Sequence, residues 1–349
     1  MKKIVISILI IALSSAVFAQ ETQQNKNWTS ARPDGHAPIS IMGDHIHKKG
    51  EFMISYRYMP MWMSGNIQNS DEISDQRIQQ AGFKVAPQNM TMDMHMLGAM
   101  YAPTDKITLM VMANYITKQM DLKVLGNGNN FSTKSSGLGD VMLSSLIKII
   151  NKNQHAVHAN LGLSIPTGAL DESDDLPVKK DARLAYPMQQ GSGTFDPQLG
   201  ATYLGQTNLF SWGAQVLYKI RLGKNSEDYT FGNRVNASAW GAIMATDFVS
   251  FSTSLRYYKQ GDINGSDSEL DGFKNNSLMP LFNTQNSGRS QLDMGIGANF
   301  LLTGSALKGL RIATEIAFPV MQEANGIQME KDLVATFGIQ YAFGHSSRQ

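Results

Sequence analysis

The chain has 349 residues, 42% of them hydrophobic and 17% charged, with a formal net charge of +1 and no cysteine. Disulfides, thiolate metal sites and a cysteine nucleophile are excluded, and so small a net charge argues against a nucleic-acid partner. Low charge with a mean hydropathy of -0.22 suits apolar residues diluted by a polar lumen and polar loops.

Lys2 and Lys3, the apolar run 4–13 and the small residues ending at Val17 and Ala19 read as a secretory signal over 1–19, cleaved after Ala19. The apolar run is too short for a membrane-spanning helix, which needs about 20 residues, and no later segment is long and apolar enough. A membrane role therefore falls to strands, since only helices and closed barrels satisfy their backbone in lipid. Residues 20–50, with Pro33, Pro38 and several glycines, read as a polar periplasmic segment or partial lumen plug.

From residue 51 the chain alternates apolar and polar positions with period two, which places successive side chains on opposite faces of a strand. In 106–120, Ile107, Leu109, Val111, Ala113 and Tyr115 share one face. Strands are predicted at 51–63, 89–102, 106–120, 138–150, 155–165, 194–205, 209–222, 229–244, 248–259, 289–301, 309–320 and 332–343. That even number, with short and long links alternating, is the pattern of an all-β, up-and-down transmembrane barrel over 51–343 with short periplasmic turns and long extracellular loops. The long links, near 64–88, 121–137, 166–193, 260–288 and 321–331, read as structureless, with 223–228 a shorter one. Their acidic clusters, Asp171, Glu172, Asp174 and Asp175, and Asp262, Asp267, Glu269 and Asp271, read as solvated charge in preference to a calcium site. The last strand carries Phe337, Tyr341 and Phe343, the aromatic ending of an insertion signal, before a tail at 344–349.

Methionine is the unusual residue, with 21 in the chain. The first strand sets an aromatic face, assigned to lipid, against Met53, Arg57, Met59, Met61 and Met63. The second carries Met90, Met92, Met94, Met96 and Met100 on one face, and the third adds Met110, Met112 and Asn114. If Arg57 and Asn114 mark the lumen, three adjacent strands share a thioether wall. Asp93 and His95 would then look outward, which leaves the facing of the second strand open. Thioethers are soft ligands suited to Cu(I), and pairs from neighbouring strands about 4.8 Å apart could share an ion. Alternatively methionine is a flexible apolar filler that makes an adaptable surface for small hydrophobic molecules, and that reading is preferred.

His45 and His47, flanked by Asp44, form a second candidate metal site, which with Met59, Met61, Met92 and Met94 makes up the metal constellation. An ordered segment capping the periplasmic mouth is the preferred reading of the histidines. Beyond Cu(I) no cofactor is indicated. Charged residues on inferred lumen faces are Glu51, Arg57, Asp140, Lys148, Asp196, Lys219, Arg221, Arg234, Arg256, Asp293, Arg311 and Glu315. About 12 strands give a lumen between the filled eight-stranded and open sixteen-stranded cases, so a narrow, partly blocked channel is expected. No metalloprotease or lipase motif is present, and the Gly-x-Gly pieces at Gly137 and Gly295 have no following helix, so an enzyme is not expected.

Several short motifs carry a resemblance: Gly137-Leu-Gly-Asp140, Leu163-Ser-Ile-Pro-Thr-Gly168 and Gly191-Ser-Gly-Thr-Phe-Asp-Pro-Gln-Leu-Gly200, with Met42-Gly-Asp-His45, Lys49-Gly-Glu51 and Ser55-Tyr-Arg-Tyr58 upstream. The chain resembles the outer-membrane barrel family labelled putative MetA-pathway of phenol degradation, whose members are called transporters. The resemblance implies a barrel in the outer membrane of a Gram-negative bacterium and uptake of hydrophobic compounds, with no catalytic residues to carry over. The expected partners are outer-membrane lipid, a small-molecule solute and the barrel-assembly machinery during biogenesis. The expected function is a channel or transporter for small hydrophobic or aromatic solutes, with soft-metal (copper) binding or export as the alternative.

Overall fold

Strands that alternate apolar and polar faces cross lipid only when the sheet closes, because an open edge leaves ladder N–H and C=O groups without partners. The computed structural model describes residues 27–302, 307 and 309–343. The expected signal segment 1–19 and the tail 344–349 lie outside the described residues. Ten strands follow in order: β1 Phe52–Asn69, β2 Val85–Thr104, β3 Ile107–Val124, β4 Val141–Lys152, β5 His155–Ile165, β6 Asp196–Gln206, β7 Phe210–Lys219, β8 Arg234–Thr246, β9 Val249–Gln260 and β10 Arg289–Leu302. The final run, Leu310–Phe343, pairs antiparallel with β10 through 310–324 and with β1 through 324–343. It therefore doubles back and supplies two strands, β11 (310–324) and β12 (327–343). The reversal falls at Asn325-Gly326, where Gly326 has φ +65, a backbone that favours glycine in tight hairpins. Each strand pairs antiparallel with the next, and β12 closes the ring on β1 from Phe52↔Phe343 to Trp62↔Leu333.

The pleat divides the residues as lipid and lumen require. Leu109, Val111, Leu143, Leu161, Val216, Phe251, Ile296, Ile316 and Ile339 project from the outer surface. Thr108, His158, Asn160, Thr202, Gln215, Ser254, Asn299, Arg311, Glu315, Thr336 and Gln340 are buried inside. Phe343 packs against Phe52 with ring centroids 6.1 Å apart, which joins the last strand to the first. Asp93 and His95 do lie on the outer side, each held by an aromatic hydroxyl of β1. Tyr58 donates to Asp93 at 2.6 Å, and Tyr56 bonds His95 at 2.8 Å.

Three expectations need correction. The strand expected over 229–244 starts at Arg234; Tyr229–Thr230 instead pairs with Asn264–Gly265. The link 321–331 is a tight turn within paired strands. The other long links are not structureless. Asn130–Leu138 extends the sheet beside the upper half of β3, Ser173–Leu176 pairs with Lys179–Arg183, and Ser268–Asn275 is a helix N-capped by Asp267. The reason is apolar residues scattered through polar sequence. Leu184, Tyr186, Met188, Leu270, Leu281 and Phe282 gather into one buried cluster with Val85, Met120 and Met329. No single link shows a period, so no element was legible until the loops packed on one another.

Residues 27–50 lie inside the barrel. Trp28 N bonds Asn151 and Thr29 N bonds Gln206, both near the short turns. The chain then climbs, and Pro33 O and Asp34 O accept from Ser250 and Ser211 of the wall. Near Gly43 it turns, and it returns to the turn end, where Lys49 N donates to Asp105 at 2.9 Å. Trp28, Ala37 and Ile41 bury apolar surface against Ala156, Leu204 and Trp240 of the wall.

Candidate functional site

The inserted segment has many backbone groups away from water, and inward polar side chains satisfy them. Arg57 Nε donates to Ile39 O at 2.9 Å, and Arg311 Nη2 donates to Ala37 O at 2.6 Å. Glu315 accepts from Ser40 N and from Ser254 Oγ. His158 Nε2 and Gln215 Nε2 approach Gly43 O at 3.0 and 3.3 Å. Gly338 is needed here, because a Cβ on it would stand 2.5 Å from Ile39 Cγ1. Arg57, Arg311 and Glu315, read from sequence as lumen charges, hold the segment in place. Asp196 with Arg221, and Asp293 with Lys331 at 2.5 Å, pair across the wall. Lys331 was missed because it lies in a stretch read as loop.

The histidines sit on the two limbs of this segment. His36 is on the entering limb, and Asp44, His45 and His47 are on the returning one; all are buried. His45 Nδ1 is 2.9 Å from Asp44 Oδ1, and His47 Nδ1 is 3.3 Å from Glu51 Oε2. Burial, and then the positive Arg311, push the His36 imidazole well below its ordinary pKa, so it is neutral. Burial likewise lowers His47, although Glu51 opposes it. His36 was absent from the sequence reading; only the fold brings it to His45.

The thioether wall is present in register: Met59 faces Met94, Met61 faces Met92, Met63 faces Met90, and Met100 faces both Met53 and Met110. Its lower part, Met53, Met100 and Met110, packs with Leu146 and Ile46 of the inserted segment. Met112 and Asn114 share the inward face of β3, with Met112 opposite Gly98 and Asn114 opposite Met96. The upper part, Met59, Met61, Met63, Met92 and Met94, is half-buried and borders the lumen above the segment. The structure does not join the histidines to these upper methionines. His47 bonds Thr108 near the turn end, whereas Met59 lies eight residues beyond Glu51 along β1, roughly 26 Å of strand. Lys118, directly opposite Met92, donates to Pro187 O and Gln189 O and draws the 166–193 loop into the barrel mouth.

Above the wall the loops form a cap. Arg183 joins three of them: it donates to Leu170 O at 2.9 Å, pairs with Asp267 at 3.1 Å, and lies within ion-pair reach of Glu227 and Glu269. Asp267 is thus neither solvated nor free for calcium. Its carboxyl is raised by burial, and Arg183 opposes that rise. Tyr186 donates no charge here, since burial pushes its hydroxyl up to about 12, and its ring packs on Tyr229 with centroids 4.9 Å apart. Beneath the cap lies a cavity of about 550 Å³, lined chiefly by Val85, Met120, Phe131, Leu184, Met188 and Phe282. Its size falls in the range of ligand sites, and its lining is apolar with a few polar groups at the rim. Of its lining, the sequence reading had marked none as functional. The available signal was the presence of apolar residues such as Leu184, Met188 and Phe282 in otherwise polar links.

The glycine-based motifs meet at one point of the rim. Asp140 accepts from Gly168 N at 3.1 Å and from Ser192 N at 3.0 Å, and Asp196 accepts from Thr194 and Ser192. Three motifs far apart in sequence thus fasten the 166–193 loop to β4 and β6. Closed, antiparallel, apolar outside and polar inside, the molecule is a membrane-spanning β-barrel.

A family profile described as putative MetA-pathway of phenol degradation matches residues 74–305. The chain belongs to that family. No match is found among curated proteins. In fold it is similar to an outer-membrane channel from Pseudomonas putida F1, at 14% identity and a TM-score of 0.59 over 87% of this chain and 99% of the other. It is also similar to the transport unit of the Escherichia coli autotransporter AIDA-I, at 9% identity and a TM-score of 0.45 over 97% of each chain. A third likeness is to the TodX monoaromatic hydrocarbon channel, at 10% identity and a TM-score of 0.44 over 86% of this chain and 92% of that one. At these identities the likeness speaks for the fold alone.

Proposed function

We propose that the protein is a channel, not an enzyme, that takes small hydrophobic, including aromatic, solutes from the outer surface into the barrel. The observation that carries this reading is the cavity of about 550 Å³ under the loop cap, walled by Met120, Leu184, Met188 and Phe282. An apolar molecule entering it leaves water, and each Å² of apolar surface removed is worth about 25 cal/mol. Flexible methionines adapt to solutes of different shape. Met63 and Met90, at the upper end of the thioether wall, pack in the same apolar cluster as Met120, so the wall adjoins the cap. The family description, which refers to phenol degradation, agrees with an aromatic solute.

The copper alternative has less support. Its histidines lie in the inserted segment near the short turns, while its upper methionines lie far along β1 and β2, outside the cavity that the histidines line. The test is binding of toluene to the detergent-solubilised barrel, measured by competition with an apolar fluorophore. Met188→Lys should weaken toluene binding by at least about 10-fold, because a lysine head in the cavity must be desolvated. Met59→Lys, in the wall below the cap, should weaken it much less. Toluene binding that is absent in the parent, or unchanged in Met188→Lys, would refute the reading.

A further inference from the structure

The inserted segment brings three imidazoles together where the proposed solute pathway does not need them. His36 and His45 meet edge to face with ring centroids 4.6 Å apart, and His45 and His47 at 4.8 Å. His36, Asp44 and His45 each offer a ligand atom within 4.8 Å of the others. His45 is 1% exposed, His47 6% and His36 8%. Despite that burial, His36 Nδ1, His45 Nε2 and His47 Nε2 have no hydrogen-bond partner. Orphaned buried nitrogens are costly, and here three occur within one cluster.

Their orientation has a chemical sense. Asp44 holds His45 through Nδ1 and Glu51 holds His47 through Nδ1. A carboxylate that accepts from Nδ1–H fixes the tautomer, directs the lone pair to Nε2 and raises its basicity, which is the outer-shell arrangement of metal-binding histidines. The neighbouring guanidiniums are engaged elsewhere: Arg57 on Ile39 O, and Arg311 on Ala37 O, Asn299 and Gln340. An entry path exists as well. A cavity of about 520 Å³ is lined by His36, His45 and His47 and reaches Asp105 and Asn151 at the periplasmic turns.

We propose that His36, His45 and His47, with Asp44 orienting His45, form a site for one borderline divalent transition-metal ion, of the Zn(II), Ni(II) or Cu(II) class, loaded from the periplasmic side. Imidazole nitrogens and carboxylates select this class, whereas Cu(I) prefers sulfur. Because His36 lies on the entering limb and the others on the returning limb, a bound ion staples the hairpin and fixes the inserted segment in the lumen. The site adjoins the lower end of the thioether wall, where Met53 lines the same cavity as the histidines, but it shares no lining residue with the cap cavity, so it stands or falls without the solute reading.

The test uses the metal alone on the purified, detergent-solubilised barrel after chelator treatment. Calorimetry with Zn(II) should give one ion per chain. His36→Ala and His45→Ala should each weaken it by about 10-fold or more, and Asp44→Asn, which disturbs an orienting partner, by about 10–100-fold. His95→Ala and His155→Ala, on the outer face, should leave it unchanged. Absence of stoichiometric binding, equal binding in the His36 and His45 variants, or a loss that follows His95 or His155 would overturn the proposal. Should the inner variants lose the gel shift of the folded barrel on heating, the parent decides the matter by Cu(II) electron paramagnetic resonance. At least two nitrogen ligands are expected there, and a spectrum with oxygen ligands alone would overturn the proposal.

Discussion

The two ends of this barrel solve the same problem in opposite ways. At the periplasmic end the lumen is filled by one covalent segment, residues 27–50, held by charged and polar groups that satisfy its backbone, among them Arg57, Arg311, Glu315 and Gln215. At the outer end it is covered by separate loops whose contacts are chiefly apolar, around Tyr186, Leu270 and Phe282, with Arg183 as a buried cation that joins three of them. Polar groups suit the lower closure, since a chain threading a lumen cannot make a sheet ladder and must borrow partners from the wall. Apolar groups suit the upper one, since a non-directional cluster can gather separate loops over one mouth without a sheet ladder. The contrast teaches that a lumen-facing residue has two different tasks depending on height: fixing a backbone below, and packing against the loops above.

Removing the lower closure should have the largest effect. Deleting residues 27–49 should raise single-channel conductance several-fold in planar bilayers while the barrel keeps its heat-dependent gel shift. Conductance equal to that of the parent would mean that the lower segment does not obstruct the pore.

Next comes the pivot of the upper closure. Arg183→Ala leaves Asp267 buried without its cation, and breaking a buried pair in this way costs about 3–5 kcal/mol. Hydrogen exchange should quicken over 166–193 and 260–288 but not in β1 or β12. Uniform destabilisation of the whole barrel would show that cap and barrel are not separable.

Both closures presuppose which face of each strand is inward. Val111→Arg places a charge on the lipid side of β3 and should cost about 2–4 kcal/mol near the midplane. Met112→Arg, one residue along and facing the lumen, should cost less. Urea titrations in detergent or lipid compare the two, and the reverse order would invert the facing of β3.

The smallest effect is expected from the wall between the two ends. Replacing Met59, Met61, Met92, Met94, Met110 and Met112 by Leu keeps volume and apolarity, at under about 1.5 kcal/mol for each change. Uptake of a hydrophobic solute into proteoliposomes should stay near the parent rate. A collapse of uptake with the fold intact would assign the sulfurs a role that apolar contact does not explain.

The sequence by itself determined the barrel. Period-two alternation around Val111, Val216 and Phe337 reports directly which side of a strand faces lipid, because the bilayer tolerates so little on that side. The pairing of Met59 with Met94 and of Met61 with Met92 was legible too, since these residues repeat at the strand period and register follows from the short turns. Tertiary structure alone decided the rest. The cap formed from links whose apolar residues have no period, so Leu184 and Phe282 become neighbours only once the strands have placed the loops above one mouth. The same holds for the histidines: His45 and His47 stand out as a spaced pair, but His36 joins them only because the chain doubles back inside the lumen. Local pattern encodes what every residue in a strand must do toward its solvent, whereas these sites depend on long-range proximity that no local pattern records.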